Sequence, residues 1–286
     1  MADWLLAHQI SFQSYVLLTG LGTVAVWETF LPRRPFAVPT GPRWFHQMVL
    51  VALGVLAIRL CLPLAGVALA VLAEQRGWGL LNRIALPPWL TIVLGIVALD
   101  VANYAQHRLS HTVPLLWRFH QVHHSDLDVD CGTSIRHHPV EALVSHAVVL
   151  AVIATVGVSP VAAVLGLTLG LAAAVFNHGN IALPHRVDAA LRFLVVTPDM
   201  HRIHHSMSVV ESNRNFANLL SWWDRMFSTY QHEPSLGQQR MVVGLSTARS
   251  VRDVRLWRLL ALPFRALPSD TNPEARVERV EATAGS

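Results

Sequence analysis

Five runs of apolar residues dominate this chain and decide what it can fold into. They cover about 11–31, 46–73, 87–106, 140–157 and 160–177, and roughly 20 apolar residues suffice for a helix to cross the hydrocarbon core of a bilayer. Backbone in lipid must satisfy its own hydrogen bonds, so runs of this length read as helices. The 286 residues are 52% hydrophobic and only 14% charged, with a mean hydropathy of +0.40, too apolar for an ordinary soluble domain of this size. The predicted fold is all-α: a polytopic membrane protein with about five apolar segments, four to five of them transmembrane helices. The last two runs meet at "GVSPVA" and read as a tight helical hairpin over 140–177, with Pro160 opening the second arm.

Charge gives the orientation. All 22 basic residues are arginine and the formal net charge is +4, so no nucleic-acid-binding patch is implied. Arg33, Arg34 and Arg43 flank the first loop, while Arg108, Arg118 and Arg136 accompany the centre of the chain. The positive-inside rule puts both groups on the cytoplasmic side. The N-terminus and the 74–86 loop are then outside, although that loop carries Arg76 and Arg83. "MADWLLAHQ" has no basic stretch and no cleavage site, so the first span reads as an uncleaved anchor in a bacterial inner membrane. The expected organisation is membrane spans over 1–98, a histidine-rich region over 99–232, a surface segment over 233–264 and a disordered tail over 265–286. In the surface segment, Arg252, Arg255 and Arg258 recur every third position beside apolar residues, the pattern of a helix lying on the membrane. Cys61 and Cys131 sit far apart and suggest neither a disulfide framework nor a thiolate site.

Nine of the 16 histidines form a pattern: His107 and His111 in "HRLSH", His120, His123 and His124 in "HQVHH", His178, and His201, His204 and His205 in "HRIHH". Helical residues at i, i+3 and i+4 share a face, so each H-x-x-H-H is expected to present three imidazoles to one point. Nine imidazoles exceed one coordination sphere, which argues for two metal ions. Neutral imidazole also binds a cation without burying a carboxylate for every ligand. A b-type haem needs only two axial ligands and leaves most of the pattern unexplained. His8, His46, His185 and His232 read as hydrogen-bonded bystanders, and His146, inside the fourth run, is ambiguous. Counting back from His107 and His111 places Tyr104, Asn103 and Asp100 on nearly the same face. Asp100 is expected to accept the free N–H of a ligating histidine, or else to bond between helices. Glu141, Asp199 and Asp224 are weaker candidates that serve equally as caps or surface charges. "GLGTVA" at Gly20 and the G-x-x-x-G of Gly166 and Gly170 lie inside apolar runs and read as helix-packing sites.

"HRLSH", "LWRFHQVHHS", "TSIRHHPVE", "FNHGN", "TPDMHRIHHS" and "NRNFANLLSWWDRMFSTY" together resemble the sequence blocks of the fatty acid hydroxylase/sterol desaturase superfamily of integral membrane di-iron enzymes. The six blocks occur in order between about Asp100 and Tyr230. The resemblance implies that His107, His111, His120, His123, His124, His201, His204 and His205 hold two iron ions, with His178 a ninth ligand and zinc a possible substitute. It also assigns His138, in the R-x-H-P-x-E block, a place beside the ligands, and passes over His137 as a variable position. One departure is Ser228, where the family writes glycine in "FGT".

The activity implied by this resemblance is O2-dependent hydroxylation or desaturation of an unactivated C–H bond in a lipid: a sterol, fatty acyl group, ether lipid or carotenoid. The active site would then lie in a cytoplasmic helical cap. Electrons would come from a ferredoxin or cytochrome with its NAD(P)H reductase. A reading of another class is a non-catalytic metal-binding or metal-transporting membrane protein that uses the same histidines. A transporter needs polar residues along several spans, whereas Asp100 and His146 are nearly alone here.

Overall fold

The computed structural model describes residues 2–265, and the expected tail falls outside them from residue 266 onward. Proline sets five of the helix starts. The elements are α1 (Ala2–Ala7), α2 (Gln9–Phe30), α3 (Thr40–Cys61), α4 (Gly66–Arg76), α5 (Pro88–Thr112), α6 (Pro114–His124), α7 (Pro139–Val152) and α8 (Pro160–His178), then the short α9 (His185–Leu191), α10 (Pro198–His204), α11 (Val209–Ser212) and α12 (Trp222–Met226). Proline opens α5, α6, α7, α8 and α10, where its missing N–H would have been unsatisfied anyway and its fixed φ suits a helix. The side chains of His138, Ser159 and Thr197 accept the first free amides of α7, α8 and α10. The described residues contain isolated β-bridges but no strand.

The chain is a membrane protein with five helical segments long and apolar enough to cross a bilayer: Gln9–Phe30, Thr40–Arg83, Pro88–Thr112, Pro139–Gly157 and Pro160–His178. The second run, expected as one span over 46–73, is interrupted. Pro63 has no N–H to donate and forces Leu62 out of the helical region, to φ −137. Helix α3 therefore ends at Cys61, and α4 resumes at Gly66 and packs through Val67, Leu69 and Ala70 against Ile153, Val158 and Ala162. The expected hairpin forms. Helix α7 continues as a wider turn over Ile153–Gly157, Gly157 takes φ +79, and Ser159 caps the second arm. A Cβ on Gly166 would lie 2.9 Å from Leu99 of α5, so this glycine brings the two helices close.

These helices converge at one end of the bundle. The loop after α2 is tied to the end of α8, with the Arg33 amide donating to Asn180 O at 2.8 Å and the Asn180 amide to Glu28 at 3.0 Å. Arg43, fully buried at the start of α3, donates to Asp126 and Asp130 in the loop that follows α6. The arginines of the first loop and all the histidine blocks thus share one face. Residues 251–264 do not form a single surface helix: Leu259 and Leu262 pack against Leu50 and Val122, and only residues such as Trp257 and Phe264 stay exposed. Reporter fusions truncated after Arg43, Arg136 and Arg265 should all report the same side of the membrane, and a fusion after Trp78 the other. A split among the first three would break this topology.

Candidate metal centre

Pro114 is the local device that assembles the site. It ends α5 after Thr112, holds Val113 extended and restarts the chain as α6. The turn folds α6 back on α5, so that His111 Nε2 and His124 Nε2 lie 3.1 Å apart. Helix α10 then brings His201, His204 and His205 against both, and the end of α8 brings His178. The structure gathers all nine patterned histidines into two groups: His107, His111, His120, His124 and His204 in one, and His123, His178, His201 and His205 in the other. Within each group the available nitrogens lie within 4.8 Å of one another, and either group could hold a metal ion.

One expectation is corrected. Neither H-x-x-H-H presents its three imidazoles to one point. His120 and His124 serve the first group and His123 the second, whereas His201 and His205 serve the second and His204 the first. Successive residues of a helix diverge by about 100°, given 3.6 per turn. Adjacent histidines therefore aim apart, with ring planes at 83° for His123 and His124 and 88° for His204 and His205.

The imidazoles fit cations for two reasons. First, several are anchored through the nitrogen that faces outward. Nδ1 of His107 donates to Phe216 O at 2.7 Å, Nδ1 of His178 to Ala174 O at 2.7 Å, and Nδ1 of His204 to Arg214 O at 2.8 Å. His120 Nδ1 donates to Glu141 Oε1 at 2.6 Å. Each such bond leaves Nε2 as a lone-pair donor turned inward, the arrangement that orients metal-binding histidines. Second, the inward nitrogens either lack partners or meet only another imidazole. Nε2 of His107, His120, His204 and His205 is buried without a hydrogen bond, and His178 Nε2 faces Nε2 of both His123 at 3.1 Å and His201 at 3.2 Å. Lone pairs converging in this way repel unless a cation sits among them. Outside the spans, His123, His124, His201, His204 and His205 are held well below the usual imidazole pKa, by burial first and then by neighbouring imidazoles.

The other predicted residues lie around this core. Asp100 accepts from Trp223 Nε1 at 2.7 Å and from the amides of Leu219 and Leu220, and so fastens the 216–223 segment to α5 instead of holding a histidine. Tyr104 bonds to Thr229 Oγ1 at 2.9 Å and stacks on Phe227. His138 caps α7 and packs on Phe119. None of the three hydrogen-bonds to or stacks on a patterned histidine among the described residues. Asp224 receives the amides of Phe216 and Ala217 and the Thr229 hydroxyl, which fixes the carbonyl that holds His107. Glu141 is the carboxylate that holds a histidine. It also meets His137, whose ring stacks on His123 at 4.8 Å and 8°. Burial disfavours the charged form of His137, but the Glu141 carboxylate outweighs this and raises its pKa. Sequence patterning passes over His137, and only its position four residues before Glu141 hints at the pair. Ser228 stands at φ +57, a left-handed conformation that explains why a glycine suits this turn.

A cavity of about 510 Å³ leads from the centre into the bundle between α3, α5, α7 and α8. Both histidine groups reach its wall, through His107 and His120 on one side and His123, His178 and His201 on the other. Val55, Ile58, Val149, Val152 and Leu167 line its depths, while Gln106 and Ser145, bonded at 2.6 Å, lie on the wall between the two ends.

Residues 92–229 match the fatty acid hydroxylase family. An ornithine lipid hydroxylase from Rhizobium tropici is 30% identical over 156 residues, covering 52% of this chain and 44% of that protein. Alkylglycerol monooxygenases from Homo sapiens and Danio rerio are each 27% identical, over 158 and 169 residues; the matches cover 55% and 56% of this chain and 33% and 34% of theirs. The chain spans less than half the length of these curated relatives. No solved structure matches it.

The buried neutral histidines set a pH dependence. A histidine whose folded pKa is depressed binds fewer protons folded than unfolded, so stability is full above the unfolded value of about 6.5 and is lost progressively below it. The five depressed histidines outnumber His137, whose raised pKa acts in the opposite sense. Metal-free protein in detergent should therefore melt at progressively lower temperature as pH falls from 7 to 5. A melting temperature flat or rising over that range would contradict the burial of these rings in the neutral form.

Proposed function

We propose, for a chain whose residues 92–229 belong to the fatty acid hydroxylase/sterol desaturase superfamily, that this protein is a membrane di-iron oxygenase. It hydroxylates an unactivated C–H bond of a lipid whose chain lies in the cavity between α3, α5, α7 and α8. The observation that carries this reading is that one apolar cavity, reaching into membrane-spanning helices, ends against both histidine groups. Hydroxylation is favoured over desaturation because the relatives are a hydroxylase and monooxygenases.

The nine histidines would hold two iron ions, five on one and four on the other. Iron so held supplies the activation of O2 that carbon chemistry in a protein cannot provide. One oxygen atom enters the C–H bond and the other leaves as water, which requires two electrons and two protons from outside. A ferredoxin or cytochrome with its NAD(P)H reductase fills that role, at a centre facing the cytoplasm. The side chains do the rest. Glu141 keeps the His120 proton on Nδ1, and Phe216 O does the same for His107. Phe216 and Trp117 lie against His111, their rings 5.1 and 4.9 Å from it, and keep water from that side of the centre. The apolar lower wall aligns a hydrocarbon chain, and Gln106 and Ser145 offer polar contacts close to the reacting end.

Protein expressed with ample iron should contain two metal ions per chain by elemental analysis. One or none would refute the two-site reading, whereas zinc in both would leave the geometry standing. Supplied with ferredoxin, reductase, NAD(P)H, membrane lipid extract and 18O2, the wild type should place one labelled oxygen in the lipid product. His124→Ala removes a ligand and should lower product by orders of magnitude. Glu141→Gln should cost about 10 to 100-fold, the usual effect of disturbing a residue behind a ligand. His232→Ala, outside the centre, should stay near wild type. Equal labelling by wild type and His124→Ala would end the catalytic reading, and an unlabelled desaturated product would replace hydroxylation with desaturation.

A further inference from the structure

We infer that a second pocket, separate from the lipid cavity, is a binding site for a phosphate group. This pocket, of about 150 Å³, lies between the first loop, the 127–129 segment and residues 240–249, and four arginines line it: Arg34, Arg202, Arg240 and Arg249. Their burial is graded. Arg202 forms the floor at 1% exposure, Arg34 is a half-buried wall, and Arg240 and Arg249 are an exposed rim. The one carboxylate in the lining, Asp128, is already occupied by the amides of Ala37 and Val38. Arg202 donates to Asp199 and to Gly179 O, yet its Nε is buried without an acceptor, as is Nη1 of Arg34. A buried guanidinium nitrogen with no acceptor is costly, and two on the walls of one small cationic pocket call for a shared anion.

Phosphate suits this better than a carboxylate, because its several acceptor oxygens can answer guanidiniums from different elements at once. Its source is narrowed by depth. Phe30 and Leu31, strongly exposed at the end of the first span, mark the edge of the hydrocarbon, and Arg34 follows three positions later, at headgroup level. A lipid headgroup is therefore within reach, and free phosphate offers the same chemistry from the aqueous side. The inference is independent of the oxygenase reading, because it uses neither the metals nor the cavity.

Full-length, metal-loaded protein in detergent would be titrated with phosphatidylglycerol and, separately, with inorganic phosphate at constant ionic strength. Binding would be read by native mass spectrometry and by the melting temperature. The wild type should bind at least one probe saturably, and Arg34→Gln and Arg240→Gln should each weaken that binding about tenfold, equivalent to about 1.4 kcal/mol. Binding of phosphatidylglycerol alone identifies a lipid site, and of inorganic phosphate alone a soluble-anion site. Arg240 is exposed and its side chain has no hydrogen-bond partner among the described residues, so Arg240→Gln keeps the test available if Arg34→Gln fails to fold. Binding of neither probe, or equal binding by wild type and Arg240→Gln, would overturn the inference.

Discussion

Nine imidazoles packed ring against ring inside a low-dielectric bundle cannot leave their lone pairs facing one another without something to receive them. The rest of the architecture answers that constraint. Outward ring nitrogens are given carbonyls or a carboxylate, as at His107, His120, His178 and His204. Those acceptors are themselves fixed, Phe216 by Asp224 and the 216–223 segment by Asp100. The loop beyond His124 is held by the buried Arg43 through Asp126 and Asp130. Arg43 and Arg136 keep Asp126 ionised against its burial. Breaking such a buried pair by removing one partner typically costs about 3–5 kcal/mol, so the start of α3 is as much a part of the centre as the histidines are.

This changes the meaning of the arginines near the membrane. Arg33 pairs with Asp199, Arg202 with the same carboxylate, and Arg43 with two aspartates. Residues that the positive-inside rule reads only as markers of orientation close the polar cap over the bundle. The cap thus ties the entry of α3 to the loops beyond α6 and α8, and Gln47 and Trp44 add bonds from α3 to Asp126 and Asp130. The cavity opens beneath that cap, where four helices surround largely apolar walls and Glu141 with its histidine partners stands at the end nearest the centre.

The five spans and the nine histidines are legible in the sequence because length, hydropathy and residue chemistry mark them directly. The interruption at Pro63 is visible as a residue but hidden by the surrounding apolar run. The division of each H-x-x-H-H between two groups is not legible, because a helical repeat shows which residues share a face without showing that two separate targets lie across it. Asp100 stands on the right face and at the right depth, yet its partner is Trp223, 123 positions away. Glu141 reads as an ordinary helix-start acid, and its role depends on α7 lying beside α6. The blocks near residues 107–111, 120–124 and 201–205 are recognisable without any of this, which is why the fold's chemistry is easier to foresee than its wiring.

The sharing of each histidine trio between the two groups has a consequence for biogenesis. Before α10 has been made, one group lacks His204 and the other lacks His201 and His205. A nascent chain with all five spans already in the membrane therefore holds four of the five histidines of one group and two of the four of the other. Both groups reach their full complement only when α10 docks against the ends of α5 and α8. A ribosome that stalls before that helix leaves behind a membrane protein with both groups short, by one histidine and by two, rather than one finished and one missing.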